Sequence, residues 1–281
     1  MSLADPGLLT VTNAAGEPLV LSDVDRDGVA VVTLNAPERA NAWNEAMEAQ
    51  YYAAVDGAVD DPDVRVVVLT GSGRSFCPGM DLTRLREVTQ ENRPYATDRR
   101  PQTLLRNVPK PVVAAVNGAC AGVGLVHALM ADVRFTTADA PWTASFSRIG
   151  LVAEDAVAWR LQQLCGDAVA SDVLLSSRVF RGADAARWGL AAAATDPGEL
   201  MPTALRYARD MARRSPLSLA LIKRQLVLDA SASMREAHDR AKAYLVHVKQ
   251  APDYAEGVRA ALARTEPAFP PLAAPFVPPP E

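Results

Sequence analysis

The chain has 281 residues, 49% hydrophobic and 22% charged, enough apolar content to bury one large core and a profile that argues against a disordered or fibrous architecture. Its net charge of −4 is mild, and its basic residues are scattered; doublets such as Arg99-Arg100 and Arg213-Arg214 read as solvated helix faces, so no nucleic-acid partner is expected. No apolar run approaches the roughly 18 residues of a membrane span, Met1 to Asp5 lacks the layout of a signal peptide, and the three cysteines (Cys77, Cys120, Cys165) have neither metal nor disulfide spacing: no membrane, no metal, and reduced thiols in a cytoplasmic protein are expected.

Taken in chain order, Val29 to Leu34 follows the Asp27-Gly28 turn signal and is rich in β-branched residues, which predicts a buried strand. Asn41 to Val59 predicts a helix capped by Asn41 or Asn44, with Met47, Tyr51, Ala54, Val55 and Ala58 as its apolar stripe, stopped by Asp61-Pro62-Asp63. Val64 to Leu69 is a second continuous apolar strand, closed by Gly71-Ser72-Gly73, and a loop from Phe76 to Asp81 follows. Residues 83 to 109 are polar, with Pro94 and Pro101 and no clean period, the pattern of a mobile lid.

Pro111 to Val116 predicts a third strand, leading through the glycine-bearing turn Gly118 to Gly124 into an apolar helix that runs to Met130. Asp132 to Thr137 is a fourth short strand, and Glu154 to Cys165 a helix closed by Gly166. Strands and helices alternate with short connections, an α/β pattern. From Gly198 onward only helices are predicted, over about 201–214, 216–231, 233–250 and 252–264, before a Pro-rich tail expected to be extended or disordered. The expected division is an α/β core over 1–200, a helical region over 201–266 and the tail over 267–281.

Two turns carry the chemistry: Cys77 to Asp81 and Gly118 to Gly124, each directly after a core strand. Glycine there permits positive φ and close approach of main-chain N–H groups to a ligand. The second turn opens a helix, whose first N–H groups are unsatisfied and lie at the positive end of its dipole, a place for negative charge that develops in a reaction. Neither turn alone is specific, and Gly118, Gly122 and Gly124 do not form a dinucleotide fingerprint.

Together and in order, the segments Thr33 to Ala42, Val67 to Gly71, Phe76 to Leu82, Lys110 to Gly118 and Ala121 to Gly124 resemble the enoyl-CoA hydratase/isomerase (crotonase) family. Gly150-Leu151-Val152, Arg178 to Ala183 and Trp188-Gly189-Leu190 extend the likeness, which runs from about residue 20 to about 269. The resemblance implies a spiral of ββα units with a C-terminal helical region that builds a homotrimer or hexamer. It implies an acyl-CoA substrate and no cofactor beyond the coenzyme A of that substrate. It assigns the oxyanion-holding N–H groups to Met80, after Gly79, and to Val123, after Gly122. It places Arg39, Ala40 and Ala42 beside the adenine and phosphate end of coenzyme A, and Phe269 as an aromatic that reaches a neighbouring subunit's ligand. The hydratase lysine two residues after the loop aspartate is replaced by Thr83, leaving Arg84 as the phosphate candidate.

The chain departs from the hydratases at their two glutamates, whose positions hold Val126 and Phe146. His127 adjoins the first, but successive helix residues point roughly 100° apart, and a lone helix histidine is more often packed than catalytic. Glu154, four residues after Gly150, stands where several relatives carry their working carboxylate, an aspartate in the ring-epoxide isomerase of phenylacetyl-CoA breakdown among them. Asp155 is its weaker substitute. A single carboxylate suits proton shuttling, hence double-bond isomerisation before hydration. The alternatives are a hydrolase or dehalogenase with Glu154 as nucleophile, or a CoA-binding homologue without chemistry.

Overall fold

The computed structural model describes residues 6–81 and 100–279. Among the described residues, ten strands form two sheets. The larger contains β1 (Val20–Val24), β2 (Val29–Leu34), β3 (Val66–Gly71), β5 (Val112–Val116), β7 (Val133–Thr137) and β10 (Ala193–Thr195), in that spatial order. The β1–β2 pair is antiparallel and the others are parallel. The smaller sheet has the order β4 (Ser75–Cys77), β6 (Ala119–Ala121), β8 (Pro141–Thr143), β9 (Phe180–Arg181). Three times, then, the chain lays a long strand in the large sheet and a short one beside its predecessor in the small sheet: β3–β4, β5–β6 and β7–β8. Helices follow the second and third of these, α2 (Val123–Met130) directly and α3 (Val157–Ser176) after a loop, while α1 (Glu45–Asp60) connects β2 to β3. This is the spiral of repeated β,β,α units expected from the resemblance.

The continuous apolar runs read as strands because both faces are covered. In β3, Val67 and Leu69 enter one core cluster with α1 and α2 residues, while Val66 and Val68 enter another. That second cluster is closed by α5 (Pro197–Ala212), whose Leu200, Ala204, Ala208 and Ala212 repeat every fourth residue and lie flat on the sheet. Between α3 and α5 the short α4 (Gly182–Arg187) leads into β10. Beyond α5 come α6 (Pro216–Leu228), α7 (Met234–Lys249) and α8 (Pro252–Ala263). The residues after α8 are extended: Ala268 N donates to Glu256 Oε1 at 2.6 Å, and the Phe269 carbonyl accepts from Arg65 Nη2 at 2.8 Å.

Three predicted boundaries are corrected. Asn44, not Asn41, caps α1, its side chain accepting from Met47 N at 2.8 Å. Asn41 has φ of 61° and is fully buried; its Oδ1 accepts from Ala36 N at 2.8 Å while its Nδ2 donates to Ser72 O and Ser75 O at 3.0 and 2.7 Å. The helix expected from Glu154 starts at Val157, because Asp155 and Ala156 adopt left-handed φ of 49° and 60° and no α-helix passes through such residues. Gly166, at φ 75°, does interrupt that helix, but a further helical stretch resumes at once and runs to Ser176. Most of the expected lid, with Thr83 and Arg84, lies outside the described residues; its end holds a turn of 3-10 helix at Leu104–Arg106.

Candidate active site

The two glycine turns meet. Gly79 has φ of 110° and Gly122 φ of 49°, values that side-chain-bearing residues rarely adopt. A Cβ built on Gly122 would stand 3.3 Å from Gly79 Cα, and one on Gly79 3.4 Å from Ala121 O, so the backbones face one another across van der Waals contact. The next residue in each turn, Met80 and Val123, is half-buried rather than sealed. Neither the Met80 N–H nor the Val123 N–H donates a hydrogen bond to any described residue. Val123 is the first residue of α2, where an unsatisfied donor is the rule.

The Met80 loop is clamped from the 39–43 segment. Trp43 N donates to Gly79 O at 2.8 Å, Asp81 N donates to Trp43 O at 2.9 Å, and Arg39 makes an ion pair with Asp81. Arg39 and Ala40 are exposed and Ala42 is half-buried, so the expected coenzyme-binding segment borders the Met80 loop and is open beside it. The sequence did not single out Trp43 or Asn41 as scaffold, although both lie inside the matched Thr33 to Ala42 stretch or next to it. The Val123 turn is fixed by contact with β4: a Cβ on Gly124 would fall 2.1 Å from Cys77 O, so only glycine lets the helix approach this strand. Cys77 itself is buried and its thiol is pushed up to about 12 by burial, which makes it an inert packing group.

Val126 and Phe146, at the hydratase glutamate positions, are buried in the core cluster against which Val123 and Ala153 also pack. Glu154 therefore follows directly on a residue of the same apolar wall that lies behind Val123. It is half-buried, and its carboxyl is held above the usual carboxylate range, first by burial and then by the charge of Asp155. No helix N-terminus offsets the effect of this wall on Glu154, because the helix begins three residues later, at Val157.

His127 is fully buried between Trp43 and Tyr51, with ring centroids 4.6 Å from each. Its Nδ1 lies 3.3 Å from Tyr51 Oη, its Nε2 has no hydrogen-bond partner among the described residues, and burial pushes its pKa down to about 3. It is a neutral core imidazole and reaches no solvent-open site. Phe269 lies 3.7 Å from the place a Cβ would take on Gly257 and is tied to Arg65, at the end of β3 opposite Gly71; within one chain it is not brought to the glycine turns. No group of three or more His, Cys, Asp or Glu suited to a metal, and no helix long and apolar enough to cross a membrane, occurs among the described residues.

The enoyl-CoA hydratase/isomerase family model matches residues 25–270. The chain is 32% identical over 256 residues to the 1,2-epoxyphenylacetyl-CoA isomerase of Escherichia coli strain K12, covering 89% of this chain and 97% of that protein. It is 31% identical to the (E)-benzylidenesuccinyl-CoA hydratase of Thauera aromatica, over 86% of this chain and 95% of the relative. Among solved structures, an enoyl-CoA hydratase from Polaromonas sp. JS666 superposes with a TM-score of 0.83 at 28% identity, covering 89% of this chain and 99% of the other. Another from Mycobacterium marinum is 44% identical with a TM-score of 0.67, over 77% and 100%. With its crotonase fold and a match that spans nearly its whole length, the chain belongs to the enoyl-CoA hydratase/isomerase family.

Proposed function

We propose that the protein is an acyl-CoA isomerase in which Glu154 alone moves protons. The thioester oxygen sits between the N–H groups of Met80 and Val123. Glu154 removes a proton from the carbon next to the thioester carbonyl, or from the γ carbon; the electron pair passes into the carbonyl to give an enolate, and the same carboxyl returns the proton at the other carbon. Bonds from two N–H donors strengthen as the oxygen gains charge, so they lower the barrier and not only the substrate's energy. The observation that carries the reading is the raised proton affinity of Glu154 beside a wall that holds Val126 and Phe146. Hydration would need a second group to hold and orient water, and neither of those side chains can.

Arg39, Ala40 and Ala42 are assigned to the coenzyme's adenine and phosphate end, with Gly79 and Gly122 supplying the close backbone approach. The working form is inferred to be a homotrimer or a dimer of trimers built through the C-terminal helices, with Phe269 reaching a neighbour's ligand. The test is solvent-deuterium exchange into the α and γ positions of a 3-enoyl-CoA. Exchange lost in Glu154→Gln supports the reading. Exchange retained in Glu154→Gln but abolished in His127→Ala or Asp155→Asn overturns it.

A further inference from the structure

Helix α2 spans Val123–Met130, about 12 Å at 1.5 Å per residue. One end offers the Val123 N–H; the other is packed with buried positive charge. Arg134 and Arg160 are both buried there. Arg134 Nη1 donates to Ala131 O at 2.6 Å and approaches Leu129 O and Ala128 O at 3.4 and 3.5 Å, while its Nε donates to Leu190 O at 2.5 Å. Arg160 Nε donates to Leu129 O at 3.1 Å. Two more buried cations arrive from outside the helix. Lys223, on α6, places Nζ 2.7 Å from Asp132 Oδ2, and Arg106 Nη1 stands 3.7 Å from Asp132 Oδ1, near enough for ion pairing and too far for a hydrogen bond. Among the described residues, four cations gather around one carboxylate.

The imbalance has a physical consequence. Arg134 and Arg160 take carbonyl oxygens, not carboxylates, as acceptors: those of Ala128, Leu129 and Ala131 lie at the negative end of the α2 dipole, while Arg134 also holds Leu190 O and Arg160 Nη1 reaches Gln163 Oε1 at 3.4 Å. Burial, then the charge of its neighbour, lowers Arg134 to about 9; burial, then Arg106, lowers Arg160 to about 10, and both remain charged at neutral pH. A neutral amide could satisfy the same carbonyls without mutual repulsion between buried cations. What only the charge adds is a positive potential along α2, transmitted through a core of low dielectric to the end that carries Val123 N–H.

We propose that Arg160, backed by Arg134, is a positioning residue for the reaction: its buried charge at the C-terminal end of α2 strengthens the hold of the N-terminal end on the enolate oxygen. This rests on the assignment of Met80 and Val123 as oxyanion donors. One unit charge about 12 Å away in such surroundings is worth about tenfold in rate.

The experiment is isotope-edited infrared spectroscopy of butyryl-CoA, 13C-labelled at the thioester carbonyl, bound to the full-length protein, with steady-state kinetics alongside. Binding to the unaltered protein lowers the carbonyl stretching frequency. In Arg160→Met the downshift shrinks and kcat falls about tenfold with KM little changed, and Arg160→Lys restores most of both. Asp132→Asn, which removes the single carboxylate and keeps an acceptor for Val112 N, enlarges the downshift. A purely structural role predicts the same direction for both sites, since loosening the helix weakens the hold either way. A folded Arg160→Met with an unchanged downshift, or a smaller downshift in Asp132→Asn, overturns the proposal. Should Arg160→Met not fold, the direction of the Asp132→Asn shift decides alone. A carbonyl that does not shift in the unaltered protein overturns the oxyanion assignment itself, and this inference with it.

Discussion

Glu154 and His127 are both ionisable groups set against apolar surroundings, and the same physics gives them opposite roles. Burial disfavours the charged form, so it raises the carboxyl and lowers the imidazole. For Glu154 the folded pKa lies above the unfolded value of 4.5; the proton is kept by the folded state after the unfolded chain has lost it, so its contribution to stability is present below 4.5 and is lost as pH rises through the folded value. Glu154→Gln is therefore expected to leave the melting temperature at acid pH alone and to raise it slightly at neutral pH. Turnover should fall by about 10²–10⁴-fold, the usual worth of a general acid–base, measured on a 3-enoyl-CoA. For His127 the folded pKa of about 3 lies below the usual 6.5, so stability is complete above 6.5 and is lost progressively as pH falls from there toward 3. His127→Leu should remove that acid loss, narrowing the difference in melting temperature between pH 7 and pH 4. An unchanged difference would mean that the imidazole is already charged in the folded protein.

At the scale of elements, the long strands were legible because β2, β3 and β5 are covered on both sides and so read as unbroken β-branched runs. The strands of the small sheet were not, since two or three residues are too few to show a period. The glycine turns were legible as turns and, through the family likeness, as oxyanion candidates, but their mutual contact is a tertiary fact. The start of α3 was missed because Asp155 and Ala156 are ordinary residues in a left-handed conformation that no residue type announces. The arginines at the end of α2 were missed for a related reason: their acceptors are carbonyls, identical in every residue. The approach of α2 to β4 makes its own prediction. Gly124→Ala forces a Cβ to within 2.1 Å of Cys77 O and 2.7 Å of Cys77 Cβ, and buried backbone cannot yield as a flexible side chain would. The helix must move off the strand, carrying the Val123 N–H with it. The expected cost is about 1–3 kcal/mol in chemical denaturation, with a loss of kcat larger than any change in coenzyme A affinity. A variant as stable and as active as the unaltered protein would show that α2 does not depend on this contact for its position.

For the whole molecule, the last three helices pose a problem of exposed apolar surface. Leu226 is 59% exposed, Met234 90% and Leu262 83%, with Ile222, Leu245, Val246 and Val258 also turned outward on α6, α7 and α8. Single exposed apolar residues need no explanation, but seven on three consecutive helices are more than a protein in water leaves uncovered. The polar side of the same region is well satisfied: Ser233 and Glu236 form a capping box on α7, and Ser215 donates to Asp253 across from α6 to α8 at 2.5 Å. The apolar residues are thus not a sign of a poorly formed region; its internal bonds are made, and its outward face is the one through which the proposed trimer would form. A second and third copy of the chain, related by rotation, would cover such a face with the same face or its flank. Light scattering at micromolar concentration is expected to give three or six times the mass of one chain. Leu226→Glu paired with Leu262→Glu places charges in that contact, where they would be desolvated without partners, and should shift the population toward monomer while far-ultraviolet circular dichroism stays unchanged. If Phe269 completes a neighbour's coenzyme site, the monomeric variant should also lose coenzyme A affinity with its Met80 and Val123 turns intact. A monomer in the unaltered protein would remove the trimer from this account. A monomeric variant with undiminished affinity would remove only the shared site.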